Sequence, residues 1–127
     1  IMIGSFLNKL QNDVDEVFNA GEVYTSINYT LPKGIEYVCF INLSAIMPSR
    51  DANSADRAIW DYIQSTSVPT YKNNLYLYSP TKNYELKWKA IKNIDLSGKN
   101  PKCIKVIKNV VSIKIERKFD KPLVIVS

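Results

Sequence analysis

A chain of 127 residues, 46% apolar and 23% charged, can build one folded domain with a core and is too short for two. It carries 17 basic and 12 acidic residues, a net charge of +5, and no histidine. The missing imidazole excludes Ser-His-Asp and Cys-His catalysis, histidine-containing metal sites and the usual neutral-pH proton shuttle.

Four glycines, Gly4, Gly21, Gly34 and Gly98, stand too far apart to cradle a phosphate in a P-loop or dinucleotide motif. No apolar run is long enough to span a bilayer, so no membrane partner is expected. The N-terminus shows no basic stretch followed by an apolar one, so no signal peptide is expected, and Ile1, ahead of Met2, is set aside.

Ile3, Phe6, Leu7, Leu10, Val14, Val17 and Phe18 recur at three- and four-residue spacings and predict an amphipathic helix. Gly4-Ser5 supplies its cap and Asn19 to Gly21 its stop. Glu22 to Leu31 reads as a strand, Pro32-Lys33-Gly34 as a turn, and Ile35 to Ile46 as a second strand closing a first hairpin. The run Tyr37 to Ile41 is apolar in both phases, which suits a sheet centre.

Met47 to Ser49 breaks that strand. Asn53 or Ser54 then caps a second helix with Ala55, Ala58, Ile59, Tyr62 and Ile63 on one face. Trp60 lies off this face, either as an interface anchor or as a cover for a sheet edge or a loop.

Gln64 to Thr70 reads as a loop, Tyr71 to Tyr78 as a third strand, Ser79 to Asn83 as its turn and Tyr84 to Ile91 as a fourth strand. After a polar loop from Asp95 to Pro101, Cys103 to Ile107 pairs with the fourth strand. It runs on, through a bulge or tight turn at Lys108-Asn109, into Val110 to Ile115. The near-repeat of Lys89 to Ile94 and Lys105 to Val110 reads as two similar edges of one meander. Asp120 to Pro122 turns the chain into a last strand, Leu123 to Val126.

The expected fold is α+β in one domain, 1–127: two helices on an antiparallel sheet or partly closed barrel of about five to seven strands. Phe6, Leu10, Val17, Val38, Phe40, Ile59, Leu86, Trp88, Ile113 and Ile115 should be buried. Cys39 and Cys103 lie in strands and lack metal-ligand spacing. Buried free thiols are expected, with a disulfide only if their strands are neighbours. The sequons at Asn28 and Asn42 read as ordinary strand residues, and the compartment as reducing.

Charge is split along the chain. Residues 1–63 hold four bases and eight acids, a net of −4, and the rest hold thirteen bases and four acids, a net of +9. Such a split suits an anionic partner, or copies of the chain stacked acidic face to basic face. The plainer reading is a sheet edge kept soluble by lysines.

Glu85-Leu86-Lys87 on the fourth strand resembles the Glu-x-Lys strand of PD-(D/E)xK nucleases, but no partner aspartate falls in 71–78. A solvated strand face explains it better, so no catalytic residue, metal or cofactor is expected and no enzyme activity. A second reading is single-stranded nucleic acid bound by Lys82, Lys87, Lys89, Lys92, Lys99, Lys102, Lys105, Lys108 and Lys114 among Tyr71, Tyr76, Tyr78, Tyr84 and Trp88. The rings and lysines of 84–89 alternate, which places them on opposite strand faces.

The opening helix, the Tyr37 to Leu43 strand running into Pro48, the Ala55 to Ile63 helix with its tryptophan, and the β-rich end resemble in layout the small neck and tail-completion proteins of tailed bacteriophages. That resemblance spans most of the chain. It implies a non-enzymatic virion component, a subunit of a ring whose partners are copies of itself or other subunits, located in the host bacterial cytoplasm or the virion. The contact surface is expected at Lys87, Lys89, Lys105 and Lys114, with Trp60 as an anchor.

Overall fold

The apolar stripe of the first segment forms α1 (Ile3–Ala20), which buries Ile3, Phe6, Leu7, Leu10, Val14 and Val17. It begins two to three residues earlier than the Gly4-Ser5 cap implied, with Met2 at the N-cap and no side-chain cap bond. It stops at Gly21, whose φ of +87° suits a residue without Cβ. The computed structural model describes residues 2–66 and 70–127, so the middle of the 64–70 loop lies outside the described residues.

The remaining elements are β1 (Val23–Thr30), β2 (Tyr37–Phe40), α2 (Ser54–Gln64), β3 (Leu75–Tyr78), β4 (Trp88–Lys89), β5 (Ile94–Asp95), β6 (Lys102–Lys105), β7 (Val110–Arg117) and β8 (Val124–Val126). The fold is α+β with two helices, and its strands form two four-stranded sheets in place of one. One sheet has the order β1-β7-β8-β5 and is antiparallel except for β5 with β8. The other has the order β4-β3-β2-β6 and is antiparallel throughout.

The expected first hairpin does not form. β1 pairs along its whole length with β7, from Val23↔Arg117 to Thr30↔Val110. β2 lies in the other sheet, between β3 and β6. The 32–34 turn therefore carries the chain from one sheet to the other. The expected pairing of the fourth strand with Cys103 to Ile107 also fails, since β4 and β6 are the two opposite edges of their sheet.

The β2 sheet explains its own sequence. Val38, Phe40, Leu75 and Leu77 enter the core shared with α1 and the β1 sheet. Cys39, Ile41 and Tyr76 enter a second core beneath α2, with Ile59, Trp60 and Ile63. A strand buried on both faces reads as a continuous apolar run, which is what 37–41 shows.

α2 is capped by Asn53, whose side chain accepts from Asp56 N at 2.8 Å, while Asp56 Oδ2 accepts from Asn53 N at 3.0 Å. Its buried face is Asp56, Ile59, Trp60 and Ile63, and Tyr62 is 46% exposed. That is a rotation of about one residue from the expected face. Asp56 can lie inward because it closes the capping box and pairs with Lys99 Nζ at 2.8 Å. Once Asp56 is inside, Trp60 follows one turn later.

Two cores extend into the loops through side-chain amides that imitate a strand neighbour. Asn74 bonds both N and O of Ile91 (2.7 and 2.8 Å), and Asn100 both groups of Asn42 (2.8 and 3.1 Å). Gln11 of α1 does the same to Lys92, at 2.8 and 3.2 Å. The two near-repeats, 89–94 and 105–110, encode turns and not similar edges. Lys108 and Asn109 take φ of +51° and +65° in a two-residue turn closed by Ile107 and Val110, and Asn93 takes +70° at the equivalent place.

Two core expectations need correction. Leu86 is 53% exposed, because 85–86 form a turn and the strand starts only at Trp88. Trp88 is half-buried, tilted against Tyr76 at 4.5 Å between ring centroids. The other eight residues expected inside are buried. The free-thiol expectation is also overturned. Cys39 and Cys103 face each other in the β2–β6 register and form a disulfide, with Cα atoms 4.0 Å apart. A reducing compartment loses the support that free thiols lent it.

Candidate partner-binding surfaces

The five residues expected at a contact surface do not come together. Trp60 is 4% exposed within the α2 core, so it has no free face to offer and is not an anchor. Lys89 lies on the β4 edge and Lys105 on the opposite β6 edge of the same sheet. Lys114 points to solvent from the middle of β7, in the other sheet. Lys87 is half-buried ahead of β4 and donates to Asn83 Oδ1.

The charge split along the sequence is not a split in space. From the acidic half, β1 pairs on one side with β7 and β2 lies between β3 and β6, all strands of the basic half. Acids and lysines meet inside the molecule: Lys99 pairs with Asp56. Ser97, then Lys121 and Lys102, hold the Asp95 carboxyl below its usual range. Lys102 is pushed down by burial, with its amine on the Val126 carbonyl at 2.9 Å.

Glu85 and Lys87 do not share a strand face. Glu85 lines a groove of about 360 Å³ beside Met2, Pro32 and Leu86, whereas Lys87 lines a different cleft. The same-face premise of the nuclease comparison is therefore gone. Among the described residues there is no cluster of three or more His, Cys, Asp or Glu side chains placed to hold a metal ion. No described helix is long and apolar enough to cross a membrane.

Two surfaces stand out. The first is the free side of β1. Leu31 N donates to Asn109 O at 2.8 Å, and Lys114 and Ser127 exchange both main-chain bonds at 2.7 and 3.0 Å. These bonds fix the phase, because main-chain groups alternate across an antiparallel ladder. Val23, Thr25, Ile27 and Tyr29 turn theirs to β7, so Tyr24, Ser26, Asn28 and Thr30 hold N–H and C=O groups toward the open side. Among the described residues no strand pairs there.

This edge, Val-Tyr-Thr-Ser-Ile-Asn-Tyr-Thr, has eight residues and no charge, proline or glycine. Natural sheets usually guard such an edge. Beside it a groove of about 290 Å³ opens between α1 and β1, lined by Val17, Ala20, Val23 and Ile27, with Asp13 and Glu16 at its rim. Sequence reading missed this surface because it followed charge. The signal was an absence of lysine in a long β-prone stretch.

The second surface is a cleft of about 210 Å³ between α2 and the 79–87 segment. Tyr62, Tyr76 and Tyr84 line it with Lys82 and Lys87. The tyrosines belong to a wider aromatic cluster: Tyr62 meets Tyr78 edge-on at 5.6 Å, and Tyr78 reaches Tyr37 at 6.4 Å and Tyr76 at 6.5 Å. Of the aromatics that the sequence interleaved with lysines, Tyr76 and Tyr84 reach this cleft, and Tyr71 stands apart, 75% exposed. Scans of protein-family models, curated proteins and solved structures returned no match to this chain.

Proposed function

We propose that the chain is a non-enzymatic assembly subunit that joins its partners by adding a strand at β1. The open, uncharged eight-residue edge carries this reading. An edge of this kind supplies main-chain donors and acceptors for a neighbour's strand, and the α1–β1 groove offers apolar pockets for that strand's inward side chains. Two copies of β1 could pair with one another only about an axis through a residue such as Ser26 or Ile27, which keeps inner with inner and outer with outer side chains. Pairing with an unlike edge would join copies head to tail and, where the rotation closes, generate a ring, the arrangement implied by the layout resemblance to phage neck and tail-completion proteins.

The test is mass in solution. Ser26→Pro removes an outward N–H while leaving the β1–β7 bonds of its neighbours in place. The wild type should form a defined oligomer, and Ser26→Pro a folded monomer. A wild type that stays monomeric at the highest attainable concentration, or an oligomer untouched by the proline, would remove the reading.

A further inference from the structure

Among the described residues, clefts differ in the charge of their walls. Asp95 lines the first together with Lys99 and Lys102, Glu85 the groove at the start of α1, and Asp13 and Glu16 the groove beside β1. The cleft under Tyr62 is lined by two lysines and no carboxylate. It also gathers hydroxyls from Ser79 and Thr81 and the amide of Asn83. Cations, neutral donors and flat aromatic walls together select an anion that carries a ring.

We propose that this cleft binds a nucleotide, with Lys82 and Lys87 on the phosphate and Tyr62 and Tyr84 against the base. About 210 Å³ is below the usual range for a drug-sized ligand, so one nucleotide unit is held and not a stack of bases. Stacking on aromatic rings is tolerant of base identity, and lysine serves phosphate as a point charge.

The wall is built to stay in place. Ser79 Oγ accepts from Lys82 N at 3.2 Å and fixes the loop that carries Lys82. Gly34, with φ of +103°, lies directly beneath it: a Cβ there would stand 3.4 Å from Lys82 Cδ and 3.5 Å from Ser79 Oγ and Thr81 Oγ1. Lys87 is oriented by Asn83. Tyr76, pushed up to about 12 by burial and then by the Tyr62 and Tyr78 phenols, lines the cleft as a neutral phenol.

A free mononucleotide and one residue of a single strand share this chemistry. The experiment titrates uridine, inorganic phosphate, uridine monophosphate and an eight-residue oligothymidylate into the full chain, followed by tryptophan and tyrosine fluorescence. Uridine monophosphate should saturate, with uridine and phosphate each at least about tenfold weaker, since stacking and charge both contribute. Affinity should fall with salt. Equal affinity for monophosphate and oligomer assigns a free nucleotide, and tighter binding of the oligomer assigns a strand.

Lys82→Gln with Lys87→Gln should weaken binding at least about tenfold, and Tyr62→Ala by a similar factor. Lys114→Glu, on the other sheet, should leave it unchanged. Circular dichroism checks that each variant is folded. Absence of saturable binding to either nucleotide ligand, phosphate binding as well as the nucleotide, or full affinity in the double lysine variant would overturn the assignment. The site shares no residue with β1, so either reading can fail while the other stands.

Discussion

The β2 sheet is covered on both faces, and the β1 sheet on one. In the first, α1 and the β1 sheet take Val38, Phe40, Leu75 and Leu77, and α2 takes Cys39, Ile41 and Tyr76. In the second, Val111, Ile113 and Ile115 point inward, while Ser112 and Lys114 meet water. Their edges differ in the opposite sense. The β2 sheet ends in a two-residue strand bearing Lys89 and a four-residue strand bearing Lys102 and Lys105. The β1 sheet ends on one side in the two-residue β5 bearing Asp95 and on the other in eight uncharged residues. The sheet that is most deeply buried is thus the better guarded against pairing, and the sheet that faces water has the open edge. Stability and association are assigned to different sheets, and each can be disturbed alone.

The largest separation of the two should come from Phe40→Ala. Phe40 is fully buried at the centre of the β2 sheet, and its removal leaves a cavity costing about 3–5 kcal/mol. Urea denaturation measures it directly. A loss below about 1 kcal/mol would mean that this sheet is not the stabilising centre. Breaking the Cys39–Cys103 bond by Cys103→Ser should come next. The bond closes a loop over a separation of 64 residues, and its loss should cost about 2–4 kcal/mol in the same experiment. Equal stability of wild type with and without a strong reductant would show that the bond contributes little.

Several of these features were legible in the sequence. The stripe of α1, the two-faced run 37–41, the Asn53 cap and the Lys108-Asn109 turn all follow from local periodicity or turn chemistry, and all are present. What was not legible depends on distant partners. Asp56 is absent from the face expected for α2, because the partner that lets it lie inward, Lys99, stands 43 positions later in the numbering. The pairing of β1 with β7 joins residues that no local rule connects. Leu86 failed because a strand read from 84 to 91 keeps only Trp88 and Lys89. The tyrosine cleft is assembled from α2, β3 and the 79–87 segment, so only part of its aromatic set could be read from one stretch.

A smaller effect should appear at alkaline pH. Burial, then the neighbouring phenols, raises Tyr76 to about 12 from an ordinary value of 10.0. Tyr29 shifts the same way through burial and its bond to Asp13 Oδ2 at 2.6 Å. A raised phenol binds its proton more tightly when folded. Its contribution is therefore intact below about pH 10 and is lost as pH climbs toward about 12. The urea midpoint should fall across that window, and Tyr76→Phe should flatten part of the fall. An unchanged profile in the variant would place the alkaline loss elsewhere, with Tyr29 the next residue to replace.

The smallest expected effect separates the two accounts of the lysines. Lys105 and Lys114 are exposed, on the β6 edge and on the outer face of β7. Reversing both to glutamate should change stability by no more than about 0.5 kcal/mol. It should also leave association through β1 unchanged, because neither lysine lies on β1 or lines the groove beside it. Opposed charges across an interface would act first on the rate of encounter, and most visibly at low salt. Association rates of the double variant at low and moderate salt therefore decide the matter. A fall confined to low salt would return Lys105 and Lys114 to a contact surface, whereas equal rates at both leave them as the charges that keep an exposed sheet soluble.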